Sequence, residues 1–439
     1  MSPGGDVAAE EAVPARVAPT LRGLLLLAWP IVVSRSSQVV IGIADAYMVA
    51  HLGEAALAAT TAGAMNTFTL FILPLGVVFI VSSFSSQLLG SGDLAGARRY
   101  GFYGLLVAAA TQLVGVAGIP FVEPALERLA FAPDVRELLA GYLVIRLWSG
   151  GAAIGMEALA NYYGGLGNTR LPMLASVAAM VLNVIGNWLL IDGHLGAPAL
   201  GVRGAAIASA LSTGVAFAGL LAVFLLERRP AGGRWPRLRV GEFLRMLRFG
   251  IPSGLNWFFE FAAFMFFVNV VVAGLGTTAL ASLMAVIQLN SVAFMPAFAL
   301  ASAAAILVGQ AIGAGAKGEV PRLVRLGFAA AGTWQGLVGL LYLVAPRLLF
   351  APFVGDRGAT GALLDVGARM LAFSAAWQLF DAAAAVLAES LRAAGDTAFV
   401  LWARLGAGWL VFVPGSWITV RMYGGGDIAA VTWLVVYLG

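Results

Sequence analysis

The sequence predicts an all-α polytopic membrane protein. Three observations carry that prediction. Of 439 residues, 61% are hydrophobic and 11% charged, against roughly 45–50% and about 25% in an ordinary soluble domain. The apolar residues gather into long stretches, most of them near the ~20 residues that cross a ~30 Å hydrocarbon core. Arginines concentrate in alternate connections, as they do when positive residues stay cytoplasmic. This composition excludes a secreted scaffold, a disordered regulator and most soluble enzymes.

The stretches run over 23–50, 61–90, 99–120, 136–161, 169–191, 203–226, 243–273, 279–312, 323–346, 362–389 and 396–421. A twelfth begins near Ile428, with 12 residues to Gly439. It would reach about 18 Å, too short to span, so helix 12 is read as truncated. A short interfacial helix is the alternative. The N-terminal segment Met1–Thr20 is rich in Pro, Ala and Glu and does not read as a cleaved signal peptide.

Orientation follows from charge. Arg98 and Arg99, Arg170, the set Arg228, Arg229, Arg234, Arg237 and Arg239, the set Lys317, Arg322 and Arg325, and Arg392 follow even-numbered stretches. Opposite them, the seventh-to-eighth connection has no Lys or Arg, while the ninth-to-tenth has Arg347 and Arg357. The bias places the N-terminus in the cytoplasm of a multi-pass protein. The net charge of +4 then points to anionic lipid headgroups and not to nucleic acid.

The polar stretch Glu227–Val240 divides the chain. The expected organisation is a tail over 1–22, a first half over 23–226, a cytoplasmic linker over 227–242 and a second half over 243–439. The halves resemble each other. Ala50-His51-Leu52-Gly53 matches Ala273-Gly274-Leu275-Gly276 at an offset of 223 residues, which also pairs Gln87 with Gln310, Gly90 with Gly313 and Gly92 with Gly315. Gly167-Asn168-Thr169 matches Gly395-Asp396-Thr397 at an offset of 228. Six spans per half give both halves one orientation. That makes a parallel repeat about a pseudo-two-fold along the membrane normal, with the substrate path between the repeats.

The informative residues are carboxylates inside apolar stretches. Each costs about 2.5–3.5 kcal/mol at a helix centre, so three oppose insertion by roughly 8–10 kcal/mol and are functional hypotheses by default. Asp45 lies in the outer half of the first stretch. Asn183 and Asn187 lie in the fifth, four apart and so on one face. One carboxylate and two amides offer hard oxygen ligands, suited to a proton switch or a sodium ion. A packed hydrogen-bond knot is the alternative. Glu260 lies among the aromatics Trp257, Phe258, Phe259, Phe261 and Phe264, and Asp381 four residues after Trp377. Poorly solvated carboxylates are suited to exchange a proton or cation, and a structural pairing with Arg is the alternative. Arg35 is deep enough to neutralise a carboxylate on a neighbouring helix. Gln38, Trp257, Gln288, Trp377 and Gln378 are candidate cavity residues, with Asn290. Pro30 removes a helical hydrogen bond and is a candidate hinge, a rigid kink being the alternative.

Disulfides, thiolate catalysis and cysteine-ligated metals are excluded. The chain has no cysteine and two histidines, His51 and His194, both in expected loops and outside any metal-ligand motif. No cofactor, no catalytic residue and no certain metal is expected.

Pro30 through Asp45 to Leu52-Gly53 and Ala56-Leu57-Ala58, then Pro74 and Gln87, resemble the first two helices of the multidrug and toxic compound extrusion (MATE) transporters. Asn183 with Asn187-Trp188 resembles their fifth helix, and Gly250-Ile251-Pro252 with Phe258-Phe259-Glu260 their seventh. Asp381 followed by Ser390-Leu391-Arg392-Ala393-Ala394-Gly395-Asp396-Thr397 resembles their tenth. The resemblance is to the NorM-like branch, which has this Glu and this Asp. The archaeal and DinF-like branch lacks that pair. The resemblance implies a twelve-helix, two-lobe fold that alternates access. It implies antiport of organic cations or amphipathic drugs against H+ or Na+ in a bacterial inner membrane, by a monomer among lipids. Asp45, Asn183 and Asn187 match the family's N-lobe cation site, and Glu260 and Asp381 its C-lobe carboxylates. Trp377 stands where NorM-like members often have Tyr. An indole offers no oxygen, which weighs against a C-lobe sodium site. A related flippase for lipid-linked sugars is the alternative function.

Overall fold

The computed structural model describes residues 19–129, 131–227, 237–353, 360–424 and 426–438. Arg228, Arg229, Arg234 and Arg357, and most of the N-terminal tail, lie outside them. Helices are the regular secondary structure of the described residues, with no strand among them. In chain order the helices are α1 (Leu21–Val49), α2 (Glu54–Ser91), α3 (Leu94–Gly118), α4 (Val122–Glu127), α5 (Pro133–Trp148) and α6 (Gly150–Gly165). Then come α7 (Arg170–Ile191), α8 (Val202–Leu226), α9 (Val240–Phe266), α10 (Thr277–Gly313), α11 (Val320–Val344) and α12 (Pro346–Phe350). The last are α13 (Thr360–Ser374), α14 (Gln378–Ala394), α15 (Thr397–Leu405), α16 (Val413–Trp417) and α17 (Asp427–Leu438).

Ten helices, counted through their short continuations, are long and apolar enough to cross a membrane, or eleven if the bent pair α5 and α6 is one span. The chain is therefore an all-α polytopic membrane protein.

Three boundaries differ from the sequence reading, each for a local reason. Helix α2 begins at Glu54 and not near residue 61. Gly53, at φ 107°, starts it, and Thr61 turns its hydroxyl back onto the Leu57 carbonyl, so the threonine pair does not break the helix. The stretch 136–161 is bent by 49° between α5 and α6. Ser149 and two glycines lie there, and Gln112 of α3 receives the Gly151 N–H while donating to the Leu147 carbonyl. A neighbouring helix thus satisfies backbone groups that the bend releases. The tenth stretch is interrupted by a 3₁₀ turn, Ala375–Trp377, between α13 and α14.

The internal repeat is visible in the backbone. Gly53 and Gly276 precede α2 and α10 with φ/ψ of 107°/173° and 104°/170°. Gly92 and Gly315 follow the same helices at φ 82° and 74°, and Gly167 and Gly395 match at 80° and 88°. Each glycine adopts a left-handed conformation that side chains disfavour.

One hydrophobic core is built within residues 49–246, a second within 263–434, and a third joins α1 to α10, α11 and α14. The two halves meet at the end that carries Gly92, Gly167, Gly315 and Gly395. There Gly90 abuts the Gln310 carbonyl while Gly313 abuts the Gln87 carbonyl. The contact is reciprocal, as a two-fold relation demands. Gln87 also donates to the Ala393 carbonyl at 2.6 Å.

Candidate functional site

The sequence brings oxygen ligands together from three helices of the first half. Asp45 is one turn from the end of α1, and Asn183 and Asn187 share a face of α7. Asn187 Nδ2 donates to Asp45 Oδ1 at 2.6 Å and reaches Asn183 Oδ1 at 3.3 Å. Ser209 of α8 was not singled out in the sequence. Its hydroxyl donates to Asp45 Oδ2 at 3.0 Å and accepts from Asn183 Nδ2 at 3.0 Å. The group is sealed: Asp45 is 7% exposed, Ser209 5%, and both asparagines 0%. Asn187 Oδ1 is a buried acceptor without a hydrogen-bond partner among the described residues. The cluster therefore holds one carboxylate, two amide oxygens and a hydroxyl, with an amide oxygen free to take a ligand. These are hard donors of low total charge, which suits a proton or a monovalent cation more than a divalent one.

Beyond this cluster, His51 Nε2 meets Asp192 Oδ1 at 2.7 Å and joins the C-terminal ends of α1 and α7. His194 stacks on Trp188 and bonds its carbonyl.

The second site is a cavity of about 460 Å³. Glu260 of α9 and Asp381 of α14 both line it, together with Trp257, Trp377 and Asn290. Phenylalanines at 68, 261, 264, 294 and 298 supply apolar wall. The ionisable lining is three carboxyl groups (Glu260, Asp381, Glu389) against two guanidiniums (Arg392, Arg404). Glu260 Oε2 accepts from Arg404 Nη1 in a salt bridge between α9 and α15. Asp381 has one weak partner, Gln335 Nε2 at 3.4 Å from Oδ2. Arg404 and Gln335 could not be assigned from sequence, because each sits on a helix far from its partner in the chain.

The other candidates separate. Gln38 and Gln288 are exposed and line none of the cavities described. Gln378 is buried and donates to Asn290 Oδ1 at 2.6 Å instead of facing the cavity. Pro30 is buried inside a continuous α1.

Arg35 pairs with a carboxylate on a neighbouring helix, Glu157 of α6, at 2.6 and 3.3 Å. Its guanidinium also lies 5.2 Å from the Phe79 ring, and that of Arg392 lies 5.3 Å from the same ring. Arg35, Glu157, Glu389 and Arg392 line a small polar cavity of about 70 Å³ between the halves. Arg146 lines neither cavity. Among the described residues, no group of three His, Cys, Asp or Glu is placed to hold a metal ion.

The family model described as MatE matches residues 30–189 and 252–418. A probable multidrug resistance protein NorM from Chromobacterium violaceum is 30% identical over 422 residues, covering 90% of this chain and 87% of that protein. Its counterpart from Pseudomonas putida is 29% identical over 423 residues, covering 94% and 90%. Among solved structures, an outward-facing multidrug resistance MATE family transporter of the MOP superfamily superposes with TM-score 0.84 at 19% identity, covering 97% of this chain and 93% of that one. A MOP superfamily transporter from Pyrococcus furiosus, described as having a binding pocket of reverse polarity, gives 0.82 at 20% identity over 97% and 93%.

Proposed function

The chain belongs to the MatE family, and from that premise we propose how this bacterial multi-pass membrane protein, a secondary active multidrug transporter of the NorM type, does its work. It exports organic cations or amphipathic drugs in exchange for H+ or Na+. The observation that carries the cationic preference is the charge of the cavity lined by Glu260 and Asp381. One more carboxylate than guanidinium lines it, beside an aromatic wall that suits a flat apolar cation.

The architecture we propose is twelve spans in two lobes, over 23–226 and 243–439, with the N-terminus cytoplasmic. The 12-residue α17 then belongs to the twelfth span. With arginine-rich connections inside, the end where Gly90 and Gly313 meet the opposite half is the cytoplasmic end. Its contacts make this an outward-facing arrangement, with the transporter working as a monomer among lipids.

Asp45, Asn183, Asn187 and Ser209 receive the coupling cation. The free Asn187 oxygen and the carboxylate fit either a bare sodium ion or a proton with its water. In the second half, Glu260 and Asp381 are the carboxylates presented to the cavity, Glu260 in a salt bridge with Arg404. A cation arriving from outside neutralises a carboxylate, the helices around it repack, and drug affinity falls. Such coupling requires the ion to favour one state over the other, since equal affinity shifts nothing.

The test is flux of a fluorescent organic cation in proteoliposomes. Transport of the cation supports the reading. Movement of a fluorescent polyprenyl-phosphate lipid, with no cation flux, supports the flippase alternative instead.

A further inference from the structure

The cavity contains a cation of its own. Glu260 is 34% exposed at its side chain and Arg404 31%, and they form a salt bridge across the gap between α9 and α15. Both residues precede π-helical segments, Phe267–Val272 and Gly406–Phe412, where the helical ladder is wider than usual and side chains can be re-aimed. Asp381 faces the same space, and its one hydrogen bond among the described residues comes from the Gln335 amide at 3.4 Å. Glu389 is paired with Arg392 on its own helix. Of the three carboxylates lining the cavity, two therefore have a guanidinium in contact, and Asp381 does not.

We infer that Arg404 is a tethered counter-cation that reserves Glu260, and that Asp381 is the carboxylate open to an incoming cationic substrate. The inference rests on the proposed reading of this cavity as a cation site. Arg404 then sets how much positive charge a substrate can carry. With the pair intact the cavity offers one uncompensated negative charge, and without Arg404 it offers two. Arg404 is a specificity-determining residue that acts through Glu260.

A pair with a purely structural role behaves differently. Breaking it from either side would then be equally harmful. A tethered cation makes the two single changes opposite in sign for a cationic ligand. Glu260→Gln frees the Arg404 charge to compensate Asp381 in the same cavity, so the ligand finds no net negative charge. Arg404→Gln exposes a second negative charge and attracts it.

The experiment is equilibrium binding of the dicationic dye propidium to purified full-length protein in detergent, for wild type, E260Q, R404Q, R404K and E260Q/R404Q. Expected are at least about tenfold weaker binding for E260Q and about tenfold tighter binding for R404Q. E260Q/R404Q and R404K should lie within about threefold of wild type. R404K keeps the charge and guards against misfolding of R404Q. An R404Q protein as weakened as E260Q overturns the inference, as does a double variant no better than E260Q or an R404K protein as weak as E260Q. A wild-type protein that binds no organic cation overturns the functional reading, and this inference with it.

Discussion

Asn187 donates its Nδ2 to Asp45 Oδ1 across 2.6 Å, joining α7 to α1 in a part of the protein closed to solvent. The second N–H of that amide reaches Asn183 Oδ1 at 3.3 Å, while its oxygen, Oδ1, has no hydrogen-bond partner among the described residues. An unpaired buried acceptor costs about 1–3 kcal/mol. A bound cation or its water would remove that cost, which supports the proposed coupling site.

Asp45→Asn keeps the shape of the side chain and removes the charge. Ion-coupled dye flux is expected to fall at least about tenfold, since the carboxylate is the anionic member of the cluster. Folding, checked by monodispersity and thermal unfolding in detergent, is expected to be retained. Normal coupled flux would show that the coupling ion binds elsewhere.

Ser209→Ala removes a hydroxyl that donates to Asp45 and accepts from Asn183. Hydrogen bonds to charged groups are worth about 1.5–3 kcal/mol. If sodium drives transport, the half-activating sodium concentration should rise by about tenfold. If protons drive it, no such rise should appear in the proton dependence, because the hydroxyl is then a donor to the carboxylate and not a ligand of the ion. The two titrations separate the cases.

Arg35→Ala leaves Glu157 without its bidentate partner. Stranding one member of a fully buried pair costs about 3–5 kcal/mol. These side chains are 26% and 18% exposed, so about 1–3 kcal/mol is expected, read as a lower Tm in detergent. Adding Glu157→Ala should recover part of the loss. A double variant less stable than the single would show that the pair is not what Arg35 contributes.

Gly313→Ala places a methyl group against the Gln87 carbonyl where the halves meet, whereas Gly318→Ala meets nothing within 4 Å. The first should hold that end apart and the second should not. The chain has no cysteine, so spin labels at Ser91→Cys and Lys317→Cys report the separation directly. A longer mean distance in Gly313→Ala alone is expected. An unchanged distance would mean that the glycine contact does not govern closure.

The membrane architecture and the repeat were legible in the sequence because both rest on local patterns. Long apolar runs mark the spans, and glycines at matched positions mark the turns. Asp45, Asn183, Asn187, Glu260 and Asp381 stood out because charge and amide groups are costly in apolar helices. Their partners did not. Ser209, Gln335 and Arg404 are ordinary residues until the tertiary structure sets them beside a carboxylate. The bend at Ser149 was missed because Gln112, which satisfies the backbone groups that the bend releases, lies on another helix. Gln38 and Gln288 line neither of the two cavities described. A glutamine in an apolar run shows that a polar group is present, but the run does not fix which way the helix faces.

The most direct test of cation-coupled export through Asp45 is dye flux in proteoliposomes of the full chain. Sodium and proton gradients are imposed separately, and wild type is compared with Asp45→Asn. Flux driven by one of the two gradients, and lost in the variant, is the expected result. Flux indifferent to both gradients, or equally coupled in Asp45→Asn, would contradict it.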